Sequence, residues 1–205
     1  MNSTFEKQLS LLLAAPTTIF TLIALIAIIL AFIRIKKITI TTSTIIHVAL
    51  MVALTVILHM FRLYHMPQGG SVTFGGMVPL LFIAFRYGPA VGYLAGFVYG
   101  LINLIQDPFI LQPVQVLFDY PLPYMAIGLA GYFKNIYLGA FIGILGRFIC
   151  HFISGIVFFA NYTPAGMSPY WYSFIFNASY LIPELIICII ILRILPVKRL
   201  LTQIK

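Results

Sequence analysis

Residues 147–177 read RFICHFISGIVFFANYTPAGMSPYWYSFIFN. Arg147, His151 and Gly155 recur at four-residue spacing and Phe158 or Phe159 follows one turn later, so an apolar helix carries its polar groups along one stripe. An arginine near the middle of a membrane-spanning helix costs at least about 2.5–3.5 kcal/mol. That stripe is therefore expected to face the protein interior or a watery cavity, not lipid. Asn161 to Met167, with Pro164 and Gly166, reads as a loop. Ser168-Pro169 then opens a second apolar helix whose first turns present Tyr170, Trp171, Tyr172 and Asn177. The pattern predicts a pocket with a polar floor and an aromatic lid.

Composition supports this membrane reading. The 205 residues are 62% hydrophobic and 8% charged, with mean hydropathy +1.08, whereas soluble domains carry roughly 25% charged residues. A spanning helix needs roughly 20 apolar residues, which leaves room for six or seven spans and no separate soluble domain. The formal charge of +8 does not indicate a nucleic-acid partner, because the basic residues sit at segment ends and not on one solvated face. Cys150 and Cys188 lie in apolar helices without CxxC spacing and read as packing residues. A cleavable signal peptide is not expected, since the apolar run from Leu11 continues to Ile33 and ends in RIKK without a small-residue cleavage pattern.

Outward from the deciding stretch, the seventh span covers about 169–194 and has Asn177, Tyr180 and Glu184 on one face. The fifth, about 113–132, holds Gln115, Asp119 and Tyr120 and is interrupted by Pro121 and Pro123. Prolines at that depth free backbone carbonyls, which is tolerated only where protein or water satisfies them. Asp119 therefore points to a cavity, or else serves as an ion partner for Arg147 or His151. The fourth span, about 90–105, carries Gly92, Gly96 and Gly100 on one face, a pattern for close helix contact. Arg86 and Gly88-Pro89 separate it from a short third span, about 74–85. Residues 64–73, YHMPQGGSVT, read as a loop or mobile gate. The second span, about 44–63, contains Ala49 and Ala53, a small-xxx-small pair. Residues 11–33 form an additional first span.

With seven spans, one side holds Arg34, Lys36, Lys37, Arg86, Lys134, Arg193, Lys198, Arg199 and Lys205, and the other holds Lys7 and Arg62. The positive-inside rule then predicts a cytoplasmic C-terminus and an external N-terminus. Loops 64–73, 106–112 and 161–169 become external, on the same side as Asp119, Tyr120, Tyr172 and Asn177.

Catalysis finds little support. The chain has no HExxH, no GxSxG and too few acids for a metal-dependent phosphotransferase. No metal or cofactor is expected. A carboxylate among aromatic rings instead suits a small organic cation or protonated heteroaromatic base, with cation–π terms worth roughly 0.5–2 kcal/mol each.

Five segments carry a family resemblance: GGSVTFGGMVP (69–79), RYGP (86–89), QVLFDYPL (115–122), HFISGIVFF (151–159) and GMSPYWYSFIFN (166–177). In this order, across residues 44 to about 195, they resemble the thiamine-specific substrate-binding subunits of energy-coupling factor (ECF) transporters, the ThiT/YuaJ family. The resemblance implies an all-α polytopic membrane protein, a six-helix S-component bundle to which residues 11–33 add one N-terminal transmembrane helix. It implies thiamine as ligand, bound from outside by Asp119 at the pyrimidine, Tyr120, His151, Gly155, Phe159 stacked on the ligand, Tyr172 and Asn177. It also implies docking of Ala49 and Ala53 on an ECF transmembrane coupling subunit, with ATP used only by a partner ATPase pair. This chain has Asp119 where Glu is common, Phe159 where a tryptophan often stands, and no tryptophan in loop 64–73.

The expected organisation is 1–40 as external N-terminus, additional helix and basic linker, 41–197 as the binding domain, and 198–205 as a basic cytoplasmic tail. The resemblance further implies a prokaryotic cell membrane as the setting, with the lipid bilayer as surroundings. Two other readings stand beside this one: a solitary carrier of thiamine or a related vitamin or pyrimidine precursor, and a small intramembrane enzyme. The chain contains no GxxxxGK[ST] phosphate loop, so any ATP dependence belongs to other chains.

Overall fold

A computed structural model describes residues 16–36 and 40–203. Its elements in chain order are helix α1 (Pro16–Lys36), helix α2 (Thr42–Met60), strands β1 (Arg62–His65) and β2 (Ser71–Thr73), and helices α3 (Val78–Tyr87) and α4 (Pro89–Gln106). Helices α5 (Pro113–Asp119) and α6 (Pro121–Ala126) come next, then a 3-10 turn (Ile127–Tyr132), α7 (Ile136–Phe158), α8 (Pro169–Ile194) and α9 (Val197–Gln203). Among the described residues, α2, α4, α7 and α8 are each long and apolar enough to cross a bilayer. The chain is an all-α multi-pass membrane protein with one small hairpin. Residues 11–15 of the expected first span lie outside the described residues; α1 covers the rest and runs three residues further, to Lys36.

Helix starts follow local chemistry. Pro89, Pro113, Pro121 and Pro169 occupy first-turn positions, where a missing N–H has no consequence. Asn135 Oδ1 accepts from the backbone N–H groups of Tyr137 and Leu138, at 2.9 and 3.2 Å. Ser168 caps α8 in the same way through Tyr170 N–H at 3.3 Å. Between α3 and α4 the chain reverses at Gly88, whose φ of 83° belongs to glycine.

Residues 64–73 are not a plain loop, as expected from sequence, but part of an antiparallel hairpin with Arg62 opposite Thr73, Tyr64 opposite Val72 and His65 opposite Ser71. Pro67 and the glycine pair make the turn, with φ near +90° at both Gly69 and Gly70. Strands of four and three residues are too short for an alternation to show. The hairpin also shortens the third span: the extended chain runs into the bundle at Thr73, and helix begins only at Val78. Residues 78–84 of α3 are all buried, which is why this helix is apolar all round.

Glu184 of α8, fully buried, explains how irregular backbone survives there. Its carboxylate accepts from Thr73 N–H at 2.6 Å and from the Thr73 hydroxyl at 2.8 Å. Thr73 Oγ1 in turn accepts from Gly76 N–H at 2.8 Å. Buried backbone donors are thus satisfied by side chains.

The fifth span is divided, as its prolines require: α5 ends at Asp119, α6 begins at Pro121, and the remainder tightens into the 3-10 turn. The glycine stripe of α4 makes this arrangement possible. A Cβ on Gly96 would strike Tyr124 O, one on Gly100 would lie 2.5 Å from Tyr120 O, and one on Gly92 2.8 Å from Gly128 Cα. The α4 backbone therefore packs directly on the broken segment.

Candidate functional site

A cavity lies between the hairpin, the C-terminal end of α4, the α5–α6 break, α7 and α8. All seven pocket residues named from the sequence line it: Asp119, Tyr120, His151, Gly155, Phe159, Tyr172 and Asn177. Their positions follow from the elements. Asp119 and Tyr120 stand where the fifth span breaks, His151 and Gly155 share one stripe of α7, and Tyr172 and Asn177 come from the first turns of α8.

The floor is a relay of polar groups. Arg147, 2% exposed, donates from Nε to His151 Nε2 at 3.4 Å and from Nη2 to the Tyr124 hydroxyl at 3.3 Å. Its guanidinium also lies 4.6 Å from the Tyr124 ring centroid, a cation–π distance. Accepting at Nε2 leaves the proton of a neutral His151 on Nδ1. Nδ1 faces Asp119 Oδ1 at 3.4 Å. The second carboxylate oxygen of Asp119 accepts from Gln115 Nε2. Asp119 therefore pairs with His151 and reaches Arg147 only through it. Buried Arg147 Nη1 and the Tyr99 hydroxyl have no hydrogen-bond partner among the described residues, and Arg147 lines the cavity.

The walls are aromatic. Phe159 stacks on Phe109, with centroids 5.7 Å apart and planes at 26°, and Tyr162 closes against both rings. Tyr172 leans on Phe176 at 5.8 Å. The Tyr120 hydroxyl donates to Asp107 O at 2.8 Å and accepts from Phe109 N–H at 2.6 Å, so this side chain fixes the loop that carries Phe109. Asn177 joins two helices: Nδ2 donates to His151 O at 3.3 Å and Ser173 O at 2.8 Å, and Oδ1 accepts from the Tyr180 hydroxyl at 2.8 Å. Gly155 faces the cavity but is also a packing position, because a Cβ there would collide with Ser173 Oγ.

The hairpin forms the roof, with Gln68, Gly69, Gly70 and Ser71 facing inward. Arg62 Nη1 meets Asp107 Oδ2 at 3.1 Å, which ties β1 to the α4–α5 loop. His65 Nδ1 and Ser71 Oγ lie 2.9 Å apart. A Cβ on Gly70 would stand 2.8 Å from the Tyr180 ring, so this turn rests directly on α8.

Sequence reasoning missed several lining residues, including His59, Asn103, Tyr124 and Phe109. Asn103 falls one turn beyond the glycine stripe and accepts from the Tyr124 hydroxyl at 2.9 Å. A lone amide in an apolar helix was the available signal. His59 and Tyr124 carried none, since a histidine near a helix end and a tyrosine in a span are ordinary membrane residues. Ala49 and Ala53 lie away from this cavity, on the exposed face of α2.

Comparison with known proteins agrees with this arrangement. Residues 45–204 match the model of the family described as thiamine transporter protein (Thia_YuaJ). Thiamine transporter ThiT of Bacillus subtilis (strain 168) is 37% identical over 170 residues, 73% of this chain and 88% of that protein. Thiamine transporter ThiT of Lacticaseibacillus paracasei is 28% identical over 141 residues, 58% of this chain and 70% of that protein. The fold is similar to a solved structure of ThiT from Listeria monocytogenes, with TM-score 0.68 and 24% identity across 76% of this chain and 93% of that one.

Proposed function

This chain belongs to the thiamine transporter family, and from that premise we propose that its cavity binds thiamine from the external side for delivery across the membrane with an ECF module. It is a membrane transport protein and not an enzyme. The observation that carries the ligand reading is the Arg147–His151–Asp119 relay set under aromatic walls. An aminopyrimidine presents an amine donor and ring-nitrogen acceptors. Asp119 accepts from the amine, while donors at the floor, among them Arg147 Nη1, answer the ring nitrogens. Phe159, Tyr120 and Tyr172 supply faces for the rings and for the thiazolium charge, and Asn177 and Gly155 shape the α7–α8 side.

The six-helix substrate-binding bundle consists of α2, the β2–α3 segment, α4, the α5–α6 segment, α7 and α8, with α1 as an additional span. The same proposal divides the chain at 1–40, 41–197 and 198–205. Exposure of Ala49 and Ala53 on one face of α2 supports docking on a coupling subunit, whose ATPase pair consumes the ATP. The basic residues named above support an external N-terminus and a cytoplasmic C-terminus.

Thermal unfolding of the detergent-solubilised chain against a panel of water-soluble vitamins tests the ligand. Thiamine at a thousandfold excess over Kd is expected to stabilise by about 4 kcal/mol. No shift with thiamine, or a larger shift with another vitamin, would remove this reading.

A further inference from the structure

The centre of the bundle holds a cation that no acid answers. Arg147 lies midway along α7 and is almost fully buried, and burying a charge without a partner is costly. Among the described residues no carboxylate pairs with it. Asp107 is bound to Arg62, Asp119 to His151 and Gln115, and Glu184 to the Thr73 N–H and hydroxyl. The contacts that Arg147 does make are with neutral groups: the His151 imidazole, the Tyr124 hydroxyl and the face of the Tyr124 ring. Nη1 has no partner among the described residues.

A second free donor stands beside it. The Tyr124 hydroxyl accepts from Arg147 Nη2 at 3.3 Å and donates to Asn103 Oδ1 at 2.9 Å, so Arg147 and Asn103 flank one oxygen. With its carbonyl end engaged in this way, buried Asn103 is left with Nδ2, which makes no hydrogen bond among the described residues. Both residues line the cavity. Its floor thus combines an unpaired positive charge with N–H groups from α4 and α7 that lack an acceptor. Water accepts such hydrogen bonds but leaves the charge unpaired, whereas a monoanion answers both needs. We infer that in the ligand-free chain a small inorganic monoanion of the chloride type sits on this floor, held by Arg147 Nη1 and Asn103 Nδ2. The ligand displaces it by bringing its own acceptors to these donors. That displacement rests on the thiamine reading above; the anion site does not.

The test measures thermal unfolding of the purified ligand-free chain in potassium chloride and in potassium gluconate at equal ionic strength, then thiamine affinity in the same two salts. A site half-filled at about 100 mM chloride should raise Tm by about 2 °C at about 300 mM and weaken thiamine about fourfold by mass action. Asn103→Asp keeps an acceptor for the Tyr124 hydroxyl and places a built-in anion near Arg147, so both differences between the salts should vanish. Equal Tm of the parent chain in the two salts overturns the proposal, whether or not thiamine binds and whether or not the variant folds. A chloride effect undiminished in folded Asn103→Asp also overturns it, because the anion then binds elsewhere. Thiamine affinity equal in the two salts overturns the displacement. If chloride raises Tm and thiamine binds in neither salt, the anion site stands and the thiamine reading falls.

Discussion

His151 stands between Arg147 and Asp119, accepting from Arg147 at Nε2 and facing Asp119 Oδ1 through Nδ1. One neutral imidazole thereby separates a buried cation from a carboxylate that is still 16% exposed. A direct Arg147–Asp119 pair would have spent both charges on each other. Through the histidine, the carboxylate remains open to a ligand donor, while Arg147 keeps Nη1 in reserve.

Asp119→Asn is therefore expected to weaken thiamine binding at least about tenfold, or about 1.4 kcal/mol, without unfolding the chain. The amide oxygen still accepts from His151 Nδ1, so the relay survives, while the charge and the hydrogen bond from Gln115 Nε2 are lost. Isothermal titration of parent and variant decides it; equal affinities would make Asp119 a structural partner of His151 and nothing more.

Ala49→Leu and Ala53→Leu act on a different link. Both alanines are exposed on α2, so added bulk meets no neighbour within the chain, and Tm and thiamine affinity should stay at parent values. Close approach of a coupling helix would be blocked, and thiamine uptake by cells should fall to background. Normal uptake by both variants would place docking elsewhere.

Gly96→Ala should be among the most disruptive single-methyl changes, because its Cβ would run into Tyr124 O while α4 packs on backbone. Such overpacking typically costs about 1–3 kcal/mol. Gly146→Ala is the comparison: its Cβ would lie 2.9 Å from Leu129 Cδ1, the end of a flexible side chain that can turn aside, and 3.0 Å from Ala126 Cβ. Thermal unfolding should rank Gly96→Ala clearly below Gly146→Ala.

Orientation can be read with a membrane-impermeant thiol reagent once Cys150 and Cys188 are replaced. A single cysteine at exposed Ala165 should react in intact cells, and one at exposed Lys134 should react only after lysis. The opposite pattern would turn the cavity toward the cytoplasm.

Much of this architecture was legible because membrane helices declare themselves by composition and their breaks by proline and glycine. The seventh span, read as about 169–194, is helical over Pro169–Ile194, and the glycine stripe of α4 meets the backbone of α6 as its spacing suggested. The polar stripes of α7 and α8 converge for the same reason that they could be read: polar groups in a bilayer must find one another. What could not be read was long-range. Thr73 and Glu184 are 111 residues apart, and nothing local in VTF indicates that its backbone will be satisfied by a carboxylate from the last long helix. His59, Tyr99 and Tyr124 likewise become one aromatic group only through the break at Tyr120 and the closeness the α4 glycines permit.

That Thr73–Glu184 contact governs how the roof behaves. The hairpin is fastened at its inner end by Glu184 and at its outer end by the Arg62–Asp107 ion pair, which is partly exposed and correspondingly weak. Opening should therefore begin at the outer end, with the turn at 66–70 swinging out while Thr73 stays in place. Arg62→Gln should accelerate thiamine dissociation several-fold and leave Tm almost unchanged. Thr73→Val should behave differently: it removes a hydroxyl used by both Glu184 and Gly76, and an unsatisfied buried partner costs about 1–3 kcal/mol, so stability falls together with ligand retention. Stopped-flow dissociation rates combined with thermal unfolding separate the two. A fluorophore at exposed Pro67 should lose mobility when thiamine is added, because lids of this kind close over bound substrate. Equal mobility with and without saturating thiamine, together with an unchanged off-rate in Arg62→Gln, would make the hairpin a fixed roof and send the ligand in by another route.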